Sequence, residues 1–363
     1  MANNKDVEAR REERRKRRQE EHKQAKSWFR GWWEALLFAA IAALIIRTFF
    51  FQAYRIPTPS MENTLMVGDF LVVSKIDYGP RTPMVLTVPF TNIYLPGLTF
   101  PWTRLPGYGK VHRNDVVVFN YPIDIAPIAA KTNYVKRCKG LPGDTLFIKN
   151  KRLYVNGHKA KRFPRLQQQH YQVSVKNNMR LSSARVQELG GKLLRRINNG
   201  NNYLVNMTLA QADTMRTWQN IQSVQPYVLP KSVDEYSQAG FSFSKGWSNP
   251  DHMPKIVVPF KGEHVKLTPK DWHIYKNIVT RYEHNTVQRN GKNFIINGKK
   301  TDEYTIKQNY YFMMGDNRDN SEDSRFWGFV PHSHIIGKAS IIYFSWNYKR
   351  MLPRFGRIFH LIH

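Results

Sequence analysis

Residues 35–46 form an unbroken apolar run, and Phe49, Phe50 and Phe51 continue it beyond Arg47 and Thr48. Coiled as one helix, residues 35–51 rise about 25 Å, slightly short of the hydrocarbon core of a bilayer. Arg47 lies near the far end, where its head can snorkel to the interface. Trp28, Trp32 and Trp33 precede the run like an interfacial belt. Residues 1–30 carry eleven Lys/Arg against six Asp/Glu, a bias that keeps this tail in the cytoplasm and places the rest of the chain across the membrane. A cleavable export signal needs small residues at its end, and Gln52-Ala53-Tyr54-Arg55 offers no small-x-small pair. A buried soluble helix reaches this length too, but the basic tract and the tryptophans favour one signal anchor, set at residues 31–54.

The remaining 300 or so residues must be solvated by an excess of Lys and Arg, since the whole 363-residue chain has a formal charge of +29. Such a surface is drawn to polyanions, whether nucleic acid or an anionic bilayer, and charge alone does not choose between them. The one cysteine, Cys138, excludes an intrachain disulfide and a cysteine-built metal site. Residues 70–74, 115–119, 144–148 and 152–155 read as short strands rich in β-branched residues, as do 294–296, 310–314 and 339–344. Asn156-Gly157 and Asn297-Gly298 are hairpin turns, because both central residues of such a turn need positive φ.

The character changes between about residues 160 and 285. Polar stretches at 167–169 and 198–202 read as loops, Thr208 with Gln211 forms a capping box, and Thr268-Pro269 suggests a second helix start. The expected fold is therefore mainly β. It has an antiparallel, barrel-like core from residues 55–159 and 286–346, an inserted α+β region at 160–285, and one N-terminal transmembrane helix. Residues 1–30 are a basic tail. Residues 347–363 alternate cations with Met351, Leu352, Phe355, Ile358 and Phe359, which suits either a membrane surface or a docked terminal helix. Residues 82–103 are uncharged and aromatic, but Pro83, Pro89, Pro96 and Pro101 forbid a second span. That stretch is either a loop packed on the core or an apolar rim at the bilayer.

Four segments carry chemistry. Directly after the apolar run come Ile56-Pro57-Thr58-Pro59-Ser60-Met61 and then Asn63. Gly68-Asp69 with Lys75 follow, then Tyr134-Val135-Lys136-Arg137-Cys138, and last the stretch from Gly315-Asp316 to Arg325. A calcium loop fails in the last, because Arg318 takes a ligand position and Ser321 the turn glycine. No histidine spacing supports a metal or a triad, and His332 with His334 reads as a solvated pair. Cys138 reads as a small buried residue.

In this order behind an N-terminal anchor, the four segments resemble the bacterial type I signal peptidases. The resemblance covers the anchor and β core and does not reach the insertion. It implies a serine–lysine dyad of Ser60 and Lys136, with an oxyanion hole from the Ser60 N–H and the Thr58 hydroxyl. It further implies that Ser321 orients the lysine, that Asp323 and Arg325 form a supporting ion pair, and that Gly315 and Asp316 shape the nearby turn. The physical chemistry suits such a dyad. A serine hydroxyl needs a positioned base, and lysine is a base only when burial lowers its pKa from about 10.4. By period-two alternation Lys136 shares a face with Tyr134 and Cys138, while Arg137 and Lys139 point the other way. Two positions depart from the commonest family pattern. Pro59 stands where a small residue is usual, and Asn63 where a proline is usual. The implied function is signal-peptide cleavage at the outer face of the bacterial cytoplasmic membrane, without cofactor or metal. The implied partners are preprotein signal peptides and membrane lipids, not nucleic acid, and the oligomeric state is left open. A basic, membrane-tethered binding protein without catalysis is the alternative.

Overall fold

The computed structural model describes residues 14, 28, 30–87, 94–177, 179–197, 200–234, 243–244, 247–291 and 293–362. Most of the basic tail, the tip of the apolar 82–103 stretch and part of the 198–202 loop lie outside the described residues. Among the described residues a single helix, α1 (Arg30–Phe50), is long and apolar enough to cross a membrane, and none of its most apolar window is buried against protein. Its last turn widens into a π-helix, and the Phe51 N–H donates to the Ile46 carbonyl as the chain turns extended.

Strand β1 (Phe51–Arg55) begins at the next residue and pairs along its length with β2 (Asp69–Ser74). The helix therefore stops before residue 54, because Phe51 to Arg55 give their backbone groups to β2. Strands β3 (Val116–Asn120), β4 (Asn133–Gly140), β5 (Tyr310–Met314) and β6 (Ile335–Asn347) continue the main sheet, in the order β1-β2-β6-β3-β4-β5 with every pair antiparallel, and three two-residue strands extend it. The architecture is mainly β, as the strand patterning foretold.

Alternation divides the side chains of this curled sheet between apolar layers. In β5, Phe312 and Met314 enter one cluster with Leu146 and Ile148, and Tyr311 and Met313 enter another with Cys138 and Trp327. All five residues of β3 are buried, so its continuous apolar run reflects burial on both faces. Both Asn-Gly turns adopt the expected geometry, with Asn156 and Asn297 near φ 50° and their glycines at 82°.

Residues 168–226 build a separate four-stranded sheet, in the order Lys192–Ile197, Asn202–Thr208, Gln168–Val175, Ile221–Pro226. Its own apolar cluster includes Tyr171, Val173, Val205, Met207 and Met215. The Thr208 capping box is present: the Thr208 hydroxyl accepts from Gln211 N, and the Gln211 side chain accepts from Thr208 N. Residues Met253–Val257 return to the core and pair with Thr145–Lys149.

Three expectations need correction. The second helix spans Trp272–Asn277 and starts at Asp271, not Thr268. The Thr268 hydroxyl instead hydrogen-bonds the Asp271 carboxylate and backbone N–H, organising the turn before the helix. The described chain end forms no α-helix: Leu352–Pro353 and His360–Leu361 add as short strands to β6, with one 3₁₀ turn, Phe355–Arg357, between them. Its cations are drawn to a distant carboxylate, since Arg357 donates to both oxygens of buried Asp69, at 2.6 Å for the closer contact. His334 is not solvated but buried, and burial holds its pKa down to about 3.

Candidate active site

Ser60 sits in a single 3₁₀ turn, Pro59–Met61, just beyond β1. Proline at residue 59 biases the preceding Thr58 to an extended conformation, observed at φ −123° and ψ 152°. The turn reverses the chain so that Ser60 and Met61 are buried between the end of β1 and β4. Asn63, next along, has φ 71°, which a proline ring cannot adopt; its presence in place of the usual proline therefore matches the backbone path.

Lys136 comes from β4 and lies opposite Val117 of β3. It is only 4% exposed, and its Nζ donates to Ser60 Oγ at 2.6 Å. Thr58 Oγ1 lies 3.5 Å from Ser60 Oγ. Ser60 is the second residue of a one-turn helix that opens on proline, so its N–H is the first donor of the turn and has no acceptor inside it. Burial is the main influence on Lys136 and lowers its pKa from 10.5 to about 8, although the carboxylates of Asp323 and Glu322 oppose the shift. The ring of Tyr134 lies 5.3 Å from Nζ, on the shared face that alternation predicts.

The opposite face of β4 is also buried. Arg137 clasps Asp316 with two nitrogens, at 3.0 and 2.7 Å, with no side-chain exposure on either partner. Thr64, four residues after Ser60, donates to the same carboxylate at 2.6 Å. Burial pushes Asp316 upward, but Arg137 and Thr64 together hold it below the usual carboxylate range. The loop after β5 thus grips the serine turn. Asn317 N donates to the Ser60 carbonyl at 3.0 Å, Asn317 Nδ2 donates to the Pro59 carbonyl at 3.2 Å, and Asp316 N reaches the Met61 sulfur. Gly315 is required by this approach. A Cβ there would meet Ser321 Oγ at 2.2 Å and the Ser60 carbonyl oxygen at 2.6 Å.

Asp323 and Arg325 form a buried pair, with Arg325 Nε and Nη2 donating to the two carboxylate oxygens at 2.8 and 2.9 Å. Asp323 also accepts from Gly315 N at 2.9 Å, which fastens this pair to the loop beside Ser60. Ser321 is buried against Gly315, but among the described residues its Oγ makes no hydrogen bond, to Lys136 Nζ or to any other group. The structure therefore brings Ser60, Lys136, Thr58, Gly315, Asp316, Asp323 and Arg325 into one bonded neighbourhood and leaves the Ser321 hydroxyl unpaired. Arg137, Thr64, Asn317 and Glu322 join them without having been singled out. Parity along β4 fixed the side of Arg137, but no local signal paired it with an aspartate 179 residues away.

A cavity of about 510 Å³ opens over Ser60 and Lys136, walled by Tyr54, Ile56, Leu71, Val118, Tyr134 and Val135. Its lining is largely apolar, so a buried amine there loses hydration that no carboxylate directly replaces. One rim is set by Tyr121, which stacks on Tyr134 with ring centroids 4.4 Å apart and donates to Glu322 at 2.5 Å. The arrangement is a hydroxyl joined to a dried, base-competent amine inside an apolar groove.

The family model described as signal peptidase, peptidase S26, matches residues 29–232 and 241–346. A signal peptidase I of Pseudomonas aeruginosa is 27% identical over 328 residues, 87% of this chain and 73% of the relative. One from Aquifex aeolicus is 27% identical over 320 residues, 88% and 85% of the two chains, and one from Haemophilus influenzae is 27% identical over 311 residues, 85% and 68%.

Proposed function

Because this chain belongs to the signal peptidase family, peptidase S26, we propose that it cleaves signal peptides from exported preproteins, with Ser60 as nucleophile and Lys136 as general base. The observation that carries this is the 2.6 Å contact from Lys136 Nζ to Ser60 Oγ at a buried position. Neutral Lys136 takes the hydroxyl proton as Oγ attacks the scissile carbonyl carbon. Negative charge gathers on the carbonyl oxygen, where the Ser60 N–H and Thr58 hydroxyl stabilise it. The C–N bond then breaks, the Lys136 ammonium gives its proton to the leaving amine, and an acyl-enzyme remains on Ser60. A water deprotonated by Lys136 hydrolyses that ester and restores the serine.

The substrate lies extended along β4. Strand β5 pairs with β4 only from Arg137 to Gly140, so residues 133–136 keep one edge unpaired among the described residues. The apolar groove takes the side chains near the cut. Asp316 and Asn317 hold the serine turn, while Asp323 and Arg325 hold the loop beneath it. Residues 1–30 lie in the cytoplasm, α1 spans the bacterial cytoplasmic membrane and the β core stands on the outer side, an orientation supported by the basic bias of the tail. Anchoring raises the effective concentration of substrates that are themselves held in the bilayer.

The test incubates the purified, detergent-solubilised chain with a preprotein and sequences the N-terminus of the product. A single cut after the signal peptide is expected, with kcat lowered by about 10⁴ or more in Ser60→Ala and Lys136→Ala. Normal processing by a folded Lys136→Ala protein overturns the dyad.

A further inference from the structure

Where α1 passes into β1, a second cavity of about 420 Å³ opens, and four cationic side chains line it: Arg47, Lys75, Arg81 and Lys131. No Asp or Glu is among the described residues that line it. Lys75 Nζ donates to the Arg47 and Thr48 carbonyls at 2.8 and 3.4 Å, the exposed acceptors at the C-terminal end of the helix. Arg81 donates to the Asn120 side-chain carbonyl and the Ser333 backbone carbonyl. Lys131 donates to the carbonyls of Pro122 and Asp124. The carboxylate of Asp124 is itself taken up by the Ala126 and Thr132 N–H groups. Carbonyl dipoles thus position Lys75, Arg81 and Lys131, and no carboxylate is among the described residues that line the cavity.

Such a cluster costs free energy while the cavity holds only solvent. Burial, then the nearby Arg81 and Arg47, lower the Lys75 pKa to about 7. An anion entering the cavity removes that repulsion and restores the Lys75 proton. Two guanidinium and two ammonium groups suit a phosphate, which accepts forked and single charge-assisted hydrogen bonds at once. The walls include Arg47 and Thr48, the last turn of the membrane-crossing helix, so the mouth stands at the depth of lipid headgroups.

We propose that this cavity binds the phosphate group of an anionic membrane lipid at the outer end of α1. The site is separate from the cavity over Ser60, although Asn133 of β4 lines both. It does not depend on the dyad, and its readout is binding rather than cleavage.

The test titrates the full-length protein, in neutral lipid-free detergent, with dihexanoyl phosphatidylglycerol, dihexanoyl phosphatidylcholine and inorganic phosphate, followed by calorimetry. One saturable site is expected for phosphatidylglycerol, with weaker binding of inorganic phosphate and no saturation by phosphatidylcholine. Lys75→Gln and Lys131→Gln each weaken the lipid by about fivefold to tenfold, one cationic contact apiece, while their cleavage of preprotein in detergent reports an intact fold. Binding also weakens as pH rises through about 7, where Lys75, facing Arg47, Arg81 and Lys131, gives up its proton. Wild-type affinity in both folded variants, or equal saturation by phosphatidylcholine, overturns the proposal. Inorganic phosphate binding as tightly as the lipid overturns the lipid as its source.

Discussion

The sheet that carries Ser60 and Lys136 and the sheet of residues 168–226 are both antiparallel and both cover an apolar layer, yet they bury different chemistry. Around the first, Lys136, Arg137, Lys139, Asp316, Asp323 and Arg325 are each no more than 4% exposed. The core of the second is made of Tyr171, Val173, Val175, Val205, Met207 and Met215, and its buried polar groups lie at one margin. That margin touches the loop that grips the serine: Gln168 N donates to the Asp316 carbonyl, and Asn206 Nδ2 to the Asn317 side chain. Buried ion pairs are poor providers of stability, because desolvation offsets most of their attraction. They persist here where a fixed turn and a dry amine are needed. The sheet of residues 168–226 packs its own apolar layer and braces the loop from outside through these two hydrogen bonds.

The sharpest way to break this contrast is Arg137→Met, which leaves the Asp316 carboxylate buried without its guanidinium. Urea unfolding should show a loss of about 3–5 kcal/mol, and preprotein cleavage by the remaining folded protein should fall as the serine turn loosens. A variant as stable and active as the parent would show that the pair does not hold the turn. Met215→Ala, in the inserted core, should cost about 3 kcal/mol by the same measurement. Its cleavage rate per folded molecule should not change; a matching fall would mean that the insertion shapes the site directly.

A third measurement separates the regions by protons. In the proposed dyad Lys136 acts only when neutral, and burial lowers its pKa from 10.5 to about 8. The neutral fraction therefore rises with pH, so kcat/KM should climb about tenfold per unit below that value and flatten above it. A profile flat from pH 6 to 9 would remove Lys136 from the rate. The smallest effect is expected from Thr208→Ala, which loses a helix cap worth about 1 kcal/mol and should lower the melting temperature without altering that profile.

Much of this was legible in residue order. Strands Arg152–Val155 and Tyr310–Met314 fall where β-branched and aromatic runs place them, and the Thr208 capping box is local chemistry that no distant contact overrides. Parity put Lys136 beside Tyr134. What stayed hidden was settled by partners far away in the chain. The C-terminal cations suited a membrane surface or a docked helix, yet Arg357 reaches Asp69, 288 residues earlier, from a single 3₁₀ turn set between two short strands. Arg137 counted as one more positive charge until the fold brought Asp316 to it. Thr268 offered a cap, but Asp271, three residues later, took the position.

The absence of any spacer between α1 and β1 has a mechanical consequence. Phe50 ends the helix, Phe51 begins a strand bonded to β2, and Ser60 follows nine residues later. In the proposed mechanism, a nucleophile mounted this stiffly has one working height above the bilayer and cannot travel to its target. Each substrate must therefore present its scissile bond at that height, and the distance from its apolar segment to the cut becomes a ruler built into the enzyme's own backbone.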